Sequence, residues 1–282
     1  MKAEEIKNAV KSSYAKVALM NVPCCGTGGN CCGSAGNPAE EIGRKVGYGD
    51  EELKGVPGGA NLGLGCGNPV ALASIEQGEV VLDLGSGAGF DCFIAASKVG
   101  STGRVIGVDM TPEMIEKARR NAHEGNFGNV EFRLGEIEDL PVSENLVDVV
   151  ISNCVINLSP DKKKVFREAF RVLKPGGRLM VSDMVLLKEL PEAIRRSVEA
   201  YVGCIAGAIM KEEYLAAMGA AGFEEINVLG EDTYPIELMA ADPIAQAICS
   251  ASELTENEIE GLASSVASIK VFAAKPGLSG VK

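Results

Sequence analysis

Val80-Val81-Leu82-Asp83-Leu84-Gly85-Ser86-Gly87-Ala88-Gly89 is an apolar run that stops in a glycine-rich turn, and Phe90 then opens an apolar stretch of helical length. A buried strand that hands over to a helix through glycines lets the backbone approach a ligand at the helix N-terminus. The dinucleotide-binding form of this turn needs G-x-G-x-x-G. Here the glycines fall at 85, 87 and 89, and Phe90 takes the place of the last one. Taken alone, Asp83 has a second, lesser reading as a helix-capping or turn-stabilising carboxylate.

Outward from this turn the chain alternates. Apolar runs at 80–84, 104–109, 130–134, 147–152 and 178–185 have the continuous hydrophobicity of strands buried on both faces. Helical patterns separate them near 88–99, 112–124 and 160–173. Such alternation predicts an α/β fold with a mostly parallel sheet and helices on both faces. Further strands are expected at 225–230 and 269–274, which makes seven. Residues 1–22 form an amphipathic helix with Ile6, Val10, Tyr14 and Val17 on one face, and residues 69–76 a short one. The expected organisation is an N-terminal helix and Cys/Gly-rich segment over 1–68, then one domain over 69–282 with a helical insertion at about 186–222.

Several motifs in order resemble the class I (Rossmann-like) methyltransferases. Asp83, Gly85, Ser86, Gly87 and Gly89 resemble their first motif. Asp109 ends the second strand, where a carboxylate can accept hydrogen bonds from both ribose hydroxyls, and Met110 follows it. Glu136, Ile137 and Glu138 resemble the segment that contacts adenine, Asn153 lies just past the 147–152 run, and Lys174-Pro175-Gly176-Gly177 opens the fifth strand. The resemblance implies S-adenosyl-L-methionine as cofactor, bound by these residues.

Composition narrows the acceptor. A formal charge of −12 on 282 residues disfavours nucleic acid and anionic membrane surfaces, and suits a small neutral or cationic substrate. No stretch has the apolar length of a membrane span or the pattern of a secretory signal, so a cytoplasmic location is expected. The single histidine, His123, reads as an exposed helix-end residue, which removes histidine-based triads and metal sites. Nine cysteines in a cytosolic setting favour thiol chemistry over a disulfide framework.

Cys154 directly follows the fourth strand, at the sheet edge where α/β ligands sit. Cys66 lies in Asn61-Leu62-Gly63-Leu64-Gly65-Cys66-Gly67-Asn68-Pro69, with glycines expected to leave its sulfur accessible. Cys204 lies in Tyr201-Val202-Gly203-Cys204-Ile205-Ala206-Gly207-Ala208. These segments closely resemble those of the arsenite S-adenosylmethionine methyltransferases. That resemblance implies Cys66, Cys154 and Cys204 as ligands of trivalent arsenic, with Cys31 and Cys32 as possible accessory thiols. It also implies arsenite as substrate and a thiol reductant of thioredoxin or glutathione type as partner. Arsenic(III) is soft and selects thiolates, and a pyramid of three leaves its lone pair free for methyl transfer without a general base.

Cys92 and Cys249, amid apolar neighbours, read as small buried residues. The pairs Cys24-Cys25 and Cys31-Cys32 stand in glycine-rich sequence where core packing is not expected. They could capture arsenite, or one could pair with Cys66 during turnover. Two other functions remain open at this level: a methyltransferase for a quinone-type organic acceptor, and a non-enzymatic metalloid-binding protein.

Overall fold

The computed structural model describes residues 3–20, 38–190, 206–233 and 264–277. Helix α1 (Ala3–Met20) precedes two short helices, α2 (Pro38–Lys45) and α3 (Asp50–Lys54), and α4 (Pro69–Leu72). The alternating body follows as β1 (Val80–Leu84), α5 (Phe90–Val99), β2 (Arg104–Asp109), α6 (Pro112–Glu124), β3 (Val130–Leu134) and β4 (Val147–Asn153). A 3-10 turn (Ile156–Leu158), α7 (Lys162–Val172), β5 (Leu173–Leu186), α8 (Lys211–Ala220), β6 (Glu224–Thr233) and β7 (Val266–Ala274) complete it.

The seven strands form one sheet in the order β3-β2-β1-β4-β5-β7-β6. The first five are parallel, and β7 runs antiparallel to both β5 and β6. The order reverses between β1 and β4, the switch point where α/β sheets open a crevice at their C-terminal edge. Leu84 pairs with Ser152 across it, so the turn after β1 and the turn after β4 emerge side by side.

Alternate residues of the central strands fill opposite cores. Val81, Val105, Val149 and Ile151 pack with Phe93, Ile115 and Val70 on one face; Leu82, Ile106 and Val150 pack with Phe166, Val165 and Tyr214 on the other. Phe166 and Tyr214 meet edge to face at 5.2 Å. Full burial of one such side chain contributes about 1.5–3 kcal/mol, so the layers are locked from both sides. Local chemistry sets the helix starts. The Asn68 side chain accepts from Ala71 N–H at 2.9 Å, Asp161 accepts from Lys164 N–H at 2.9 Å, and Pro112 occupies the first turn of α6.

Helices α2 and α3 were not expected from the sequence, although Glu40 and Glu41 in the first turn of α2 and Arg44 and Lys45 in the last complement its dipole. Helix α4 is shorter than the 69–76 expected; Ser74, just beyond it, has a positive φ of 47°. Of the expected insertion, residues 186–190 and 206–222 are described, and α8 is the helix among them. Among those residues no helix is long and apolar enough to cross a membrane.

Candidate active site

The β1–α5 turn takes its shape from its glycines. Gly85, Gly87 and Gly89 have φ of 67°, 51° and 94°, in the left-handed region. A Cβ on Gly85 would lie 2.2 Å from Val155 Cγ2, while one on Gly87 would meet nothing within 4 Å and would project into open space. The first glycine thus lets the two turns touch, and the second keeps the cleft floor clear. A Cβ on Gly89 would lie 2.7 Å from Phe132, so this glycine packs the turn against the core behind it.

A two-lobed cleft lies over the turn, both lobes sharing Leu64, Gly85, Gly87 and Asn153. One lobe is lined by Tyr48, Leu62, Asp83, Ser86, Phe90 and Asp91. The other, open to solvent on one side, is lined by Asp109, Met110, Ile137, Glu138, Cys154 and Leu158. Helix α1 closes this second lobe with Lys7, Val10 and Tyr14. Lys7 Nζ stands 2.6 Å from Glu136 and 3.3 Å from Glu138. Glu138 in turn accepts from Ser159 Oγ at 2.6 Å. Of the residues expected to bind a cofactor, Glu136 and Gly89 are therefore not on the cleft wall: Glu136 faces Lys7 at the rim, and Gly89 is a packing glycine.

Acidic side chains line both lobes of the cleft. Asp83 and Asp91 are buried, and Asp109 is partly exposed at the mouth. None of the three is in an ion pair among the described residues. Burial, together with the neighbouring Asp91, drives the Asp83 carboxyl well above its ordinary range, against the Cys92 thiol that donates to it at 3.2 Å. Burial also lifts Asp91 to about 6, opposed by hydrogen bonds from Tyr48 and Asn153. Asp109 is raised by desolvation while accepting Gly87 N–H at 3.0 Å and Thr111 N–H at 2.8 Å. Ser86 Oγ, buried, has no hydrogen-bond partner among the described residues.

Cys66 and Cys154, separated by 88 residues in sequence, meet at the C-terminal edge of β4 and are joined as a disulfide with a Cα–Cα distance of 5.8 Å. The free thiols expected at these positions are here an oxidised pair. Cys154 is held at φ 56°, unusual for a side chain of its kind, and its N–H donates to Ser182 carbonyl at 2.8 Å. Cys66 is partly exposed, and the glycines around it have a further role in packing. A Cβ on Gly65 would lie 2.7 Å from Asn153 Nδ2 and one on Gly67 2.4 Å from Ser182 Oγ, so they let the loop press onto β4 and β5. Asn153 clamps it, accepting Cys66 N–H at 3.0 Å and donating to Gly67 carbonyl at 2.8 Å.

Cys92 is fully buried and His123 is exposed in the last turn of α6, as expected. Cys24, Cys25, Cys31, Cys32, Cys204 and Cys249 lie outside the described residues. Lys7, Tyr48 and Asp91 were not singled out from the sequence, and Tyr14 was read only as part of the apolar face of α1. Asp91 carried a signal, being a lone carboxylate within the apolar Phe90-Asp91-Cys92-Phe93-Ile94; Tyr48 carried none.

Comparison with known proteins agrees with this architecture. Residues 75–222 match the family described as methyltransferase domain. The arsenite methyltransferase of Halobacterium salinarum is 47% identical over 234 residues, covering 81% of this chain and 60% of that protein. The human arsenite methyltransferase is 42% identical over 152 residues, covering 51% of this chain and 40% of that one. This chain thus spans 40% to 60% of the length of these two relatives. The crystal structure of an arsenic(III) S-adenosylmethionine methyltransferase from Chlamydomonas reinhardtii superposes with a TM-score of 0.62 at 32% identity, over 86% of this chain and 75% of that one. The chain belongs to the methyltransferase-domain family and, within it, to the arsenic(III) S-adenosylmethionine methyltransferases.

Proposed function

We propose that this protein transfers a methyl group from S-adenosylmethionine to trivalent arsenic held by the thiolates of Cys66, Cys154 and Cys204. The observation that carries the reading is the meeting of Cys66 and Cys154 beside the glycine turn, at the open edge of the sheet.

The cleft's own chemistry fits the cofactor. A cradle kept clear at Gly87, an unpartnered buried hydroxyl on Ser86 and carboxylates without counter-ions suit a nucleoside bearing positive charge. When bound, S-adenosylmethionine supplies an electrophilic methyl group on a sulfonium. Asp109 would accept from the ribose hydroxyls, Met110, Ile137 and Glu138 would enclose the adenine, and Asp83, Asp91 and Asn153 would face the cationic amino-acid end. Residues 1–68 contribute a cover, α1, to a catalytic body that begins at residue 69.

On the acceptor side the disulfide must first open, because both sulfurs are otherwise occupied. One dithiol of thioredoxin type, or two thiols of glutathione type, takes the disulfide to two thiols and is itself oxidised to a disulfide, which suits a protein working in the cytoplasm. Arsenous acid then exchanges hydroxyls for thiolates, with the protons leaving in water, and metal-like coordination favours deprotonation of the thiols. Three thiolates leave one lone pair on arsenic, and that pair would form the new As–C bond as the sulfonium–methyl bond breaks, its electron pair staying on the sulfur of the departing S-adenosylhomocysteine. Methylation raises arsenic formally from +3 to +5. Two cysteine thiolates can return the two electrons by closing a disulfide, and the reductant resets the pair. Positioning supplies much of the rate in such a displacement.

The test is incubation of the full chain with arsenite and methyl-labelled S-adenosylmethionine, with and without a dithiol. Labelled methylarsenicals are expected with the dithiol only. No product combined with no arsenite binding to the reduced protein overturns the reading.

A further inference from the structure

The donor lobe and the cysteine loop are tied together by one buried hydrogen-bond cluster, and Tyr48 is its hub. Tyr48 lies between α2 and α3, its N–H donating to Gly43 carbonyl at 3.0 Å. Its ring meets Phe90 edge-on at 4.7 Å, and the side chain is buried. The hydroxyl donates to Asp91 Oδ1 at 2.6 Å and accepts from Asn153 Nδ2 at 2.9 Å.

Asn153 is oversubscribed. Its Nδ2 carries two hydrogens but faces three acceptors: Tyr48 Oη at 2.9 Å, Gly67 carbonyl at 2.8 Å and Asp91 Oδ2 at 3.0 Å. Its Oδ1 accepts Cys66 N–H. One amide thus touches the carboxylate of the donor lobe on one side and both flanks of Cys66 on the other. A cation that draws the Asp91 carboxylate away would release an Asn153 hydrogen to Gly67, and the hydroxyl of Tyr48 decides how the remaining bonds divide.

We propose that Tyr48 is a positioning residue that couples the two half-sites, so that occupancy of the donor lobe sets the placement of the 64–67 loop and with it the reactivity of Cys66. This rests on the arsenic-methylation reading above. It goes beyond it by making the acceptor loop sense the donor through a side chain that touches neither arsenic nor the methyl group.

Arsenite affinity of the reduced full chain is measured with and without saturating S-adenosylhomocysteine, for the native protein and for Tyr48→Phe. Iodoacetamide labelling of Cys66 is followed by peptide mass spectrometry under the same conditions. Linked sites typically shift one another's affinity by about fivefold or more. We expect such a shift in the native protein, and a shift below about twofold in Tyr48→Phe, the two arsenite affinities being compared within each protein so that any direct effect of the substitution on one ligand cancels. An equal shift in both proteins, or none in the native one, overturns the proposal. Should Tyr48→Phe not fold, hydrogen exchange at the Cys66 amide of the native protein decides: slowing on addition of S-adenosylhomocysteine supports the coupling, and no change overturns it. Native protein that binds no arsenite at all defeats the underlying reading instead, so the two failures are distinguishable.

Discussion

The two halves of the cleft are built by different means. The donor half is a backbone construction: three left-handed glycines and the Asp109 carboxylate that receives Gly87 and Thr111 N–H groups, all at the ends of adjacent parallel strands. The acceptor half is a side-chain construction, in which Asn153 clamps a loop 87 residues away and Ser182 and Ser268 brace it from the neighbouring strands. A backbone cradle is set by local sequence and survives changes nearby. A side-chain clamp depends on long-range packing and is easier to lose. The halves should therefore respond to different substitutions.

The largest separation of the two should come from Cys154→Ser. Without that sulfur the acceptor loses a soft ligand, while the glycine turn is untouched. Arsenite methylation should fall by at least about a hundredfold, the scale of a misplaced reacting group, with S-adenosylhomocysteine affinity unchanged in titration calorimetry. Retained activity would remove Cys154 from the mechanism.

Asp109→Ala is the reciprocal experiment. It removes the acceptor of two backbone N–H groups that shape the donor cradle. Hydrogen bonds to a charged group are worth about 1.5–3 kcal/mol, so cofactor affinity should drop by roughly tenfold to a hundredfold. Arsenite binding by the reduced protein should stay within about twofold. A parallel loss of arsenite binding would show that the halves are not built independently.

This division also explains what could be read from the sequence. The glycine turn, Asp109 and Glu138 are contiguous with their strands, and the central strands are near-continuous apolar runs, so the donor half and the order of its elements were legible. The Cys66 segment was legible as a motif but not in its physics. Its glycines answer to Asn153 and Ser182, residues that sequence spacing cannot bring alongside. Tyr48 and Lys7 acquire a role only once α1 and the 48–67 segment fold back over the sheet edge. The antiparallel pairing of β7 between β5 and β6 was likewise invisible, since Val266–Ala274 has the same apolar character as a parallel strand.

Acidity should distinguish the halves more gently. The Asp91 carboxyl titrates at about 6 because burial disfavours its charged form, with the nearby Glu52 adding to the effect against the Tyr48 and Asn153 hydrogen bonds. Since this lies above the ordinary carboxyl value of 3.8, the folded protein holds the proton more tightly than the unfolded chain. The group's stabilising contribution is complete below that lower value and is lost as pH rises through 6. A bound cation reverses the preference by favouring the carboxylate. The rise in melting temperature produced by S-adenosylmethionine should therefore shrink as pH falls from 7.5 to 5.5, with affinity down about fourfold. A shift independent of pH would mean that Asp91 does not face the charge.

The smallest effect belongs to the third kind of cysteine. Cys92 is fully buried on α5, packed in the core that backs the donor half, and its thiol donates to Asp83. Burial and the adjacent Asp83 carboxylate push this thiol well above its ordinary range, so it stays protonated and is no thiolate ligand. Cys92→Ala deletes one small buried group and one weak donor. It should cost about 1 kcal/mol in denaturant unfolding and leave arsenite affinity and methylation within about twofold. The donor pocket should feel it slightly, because Asp83 loses its one thiol partner and holds its proton more firmly. Loss of arsenite binding in Cys92→Ala would place a metalloid ligand beneath the glycine turn, and the contrast between a backbone-built donor half and a thiol-built acceptor half would no longer hold.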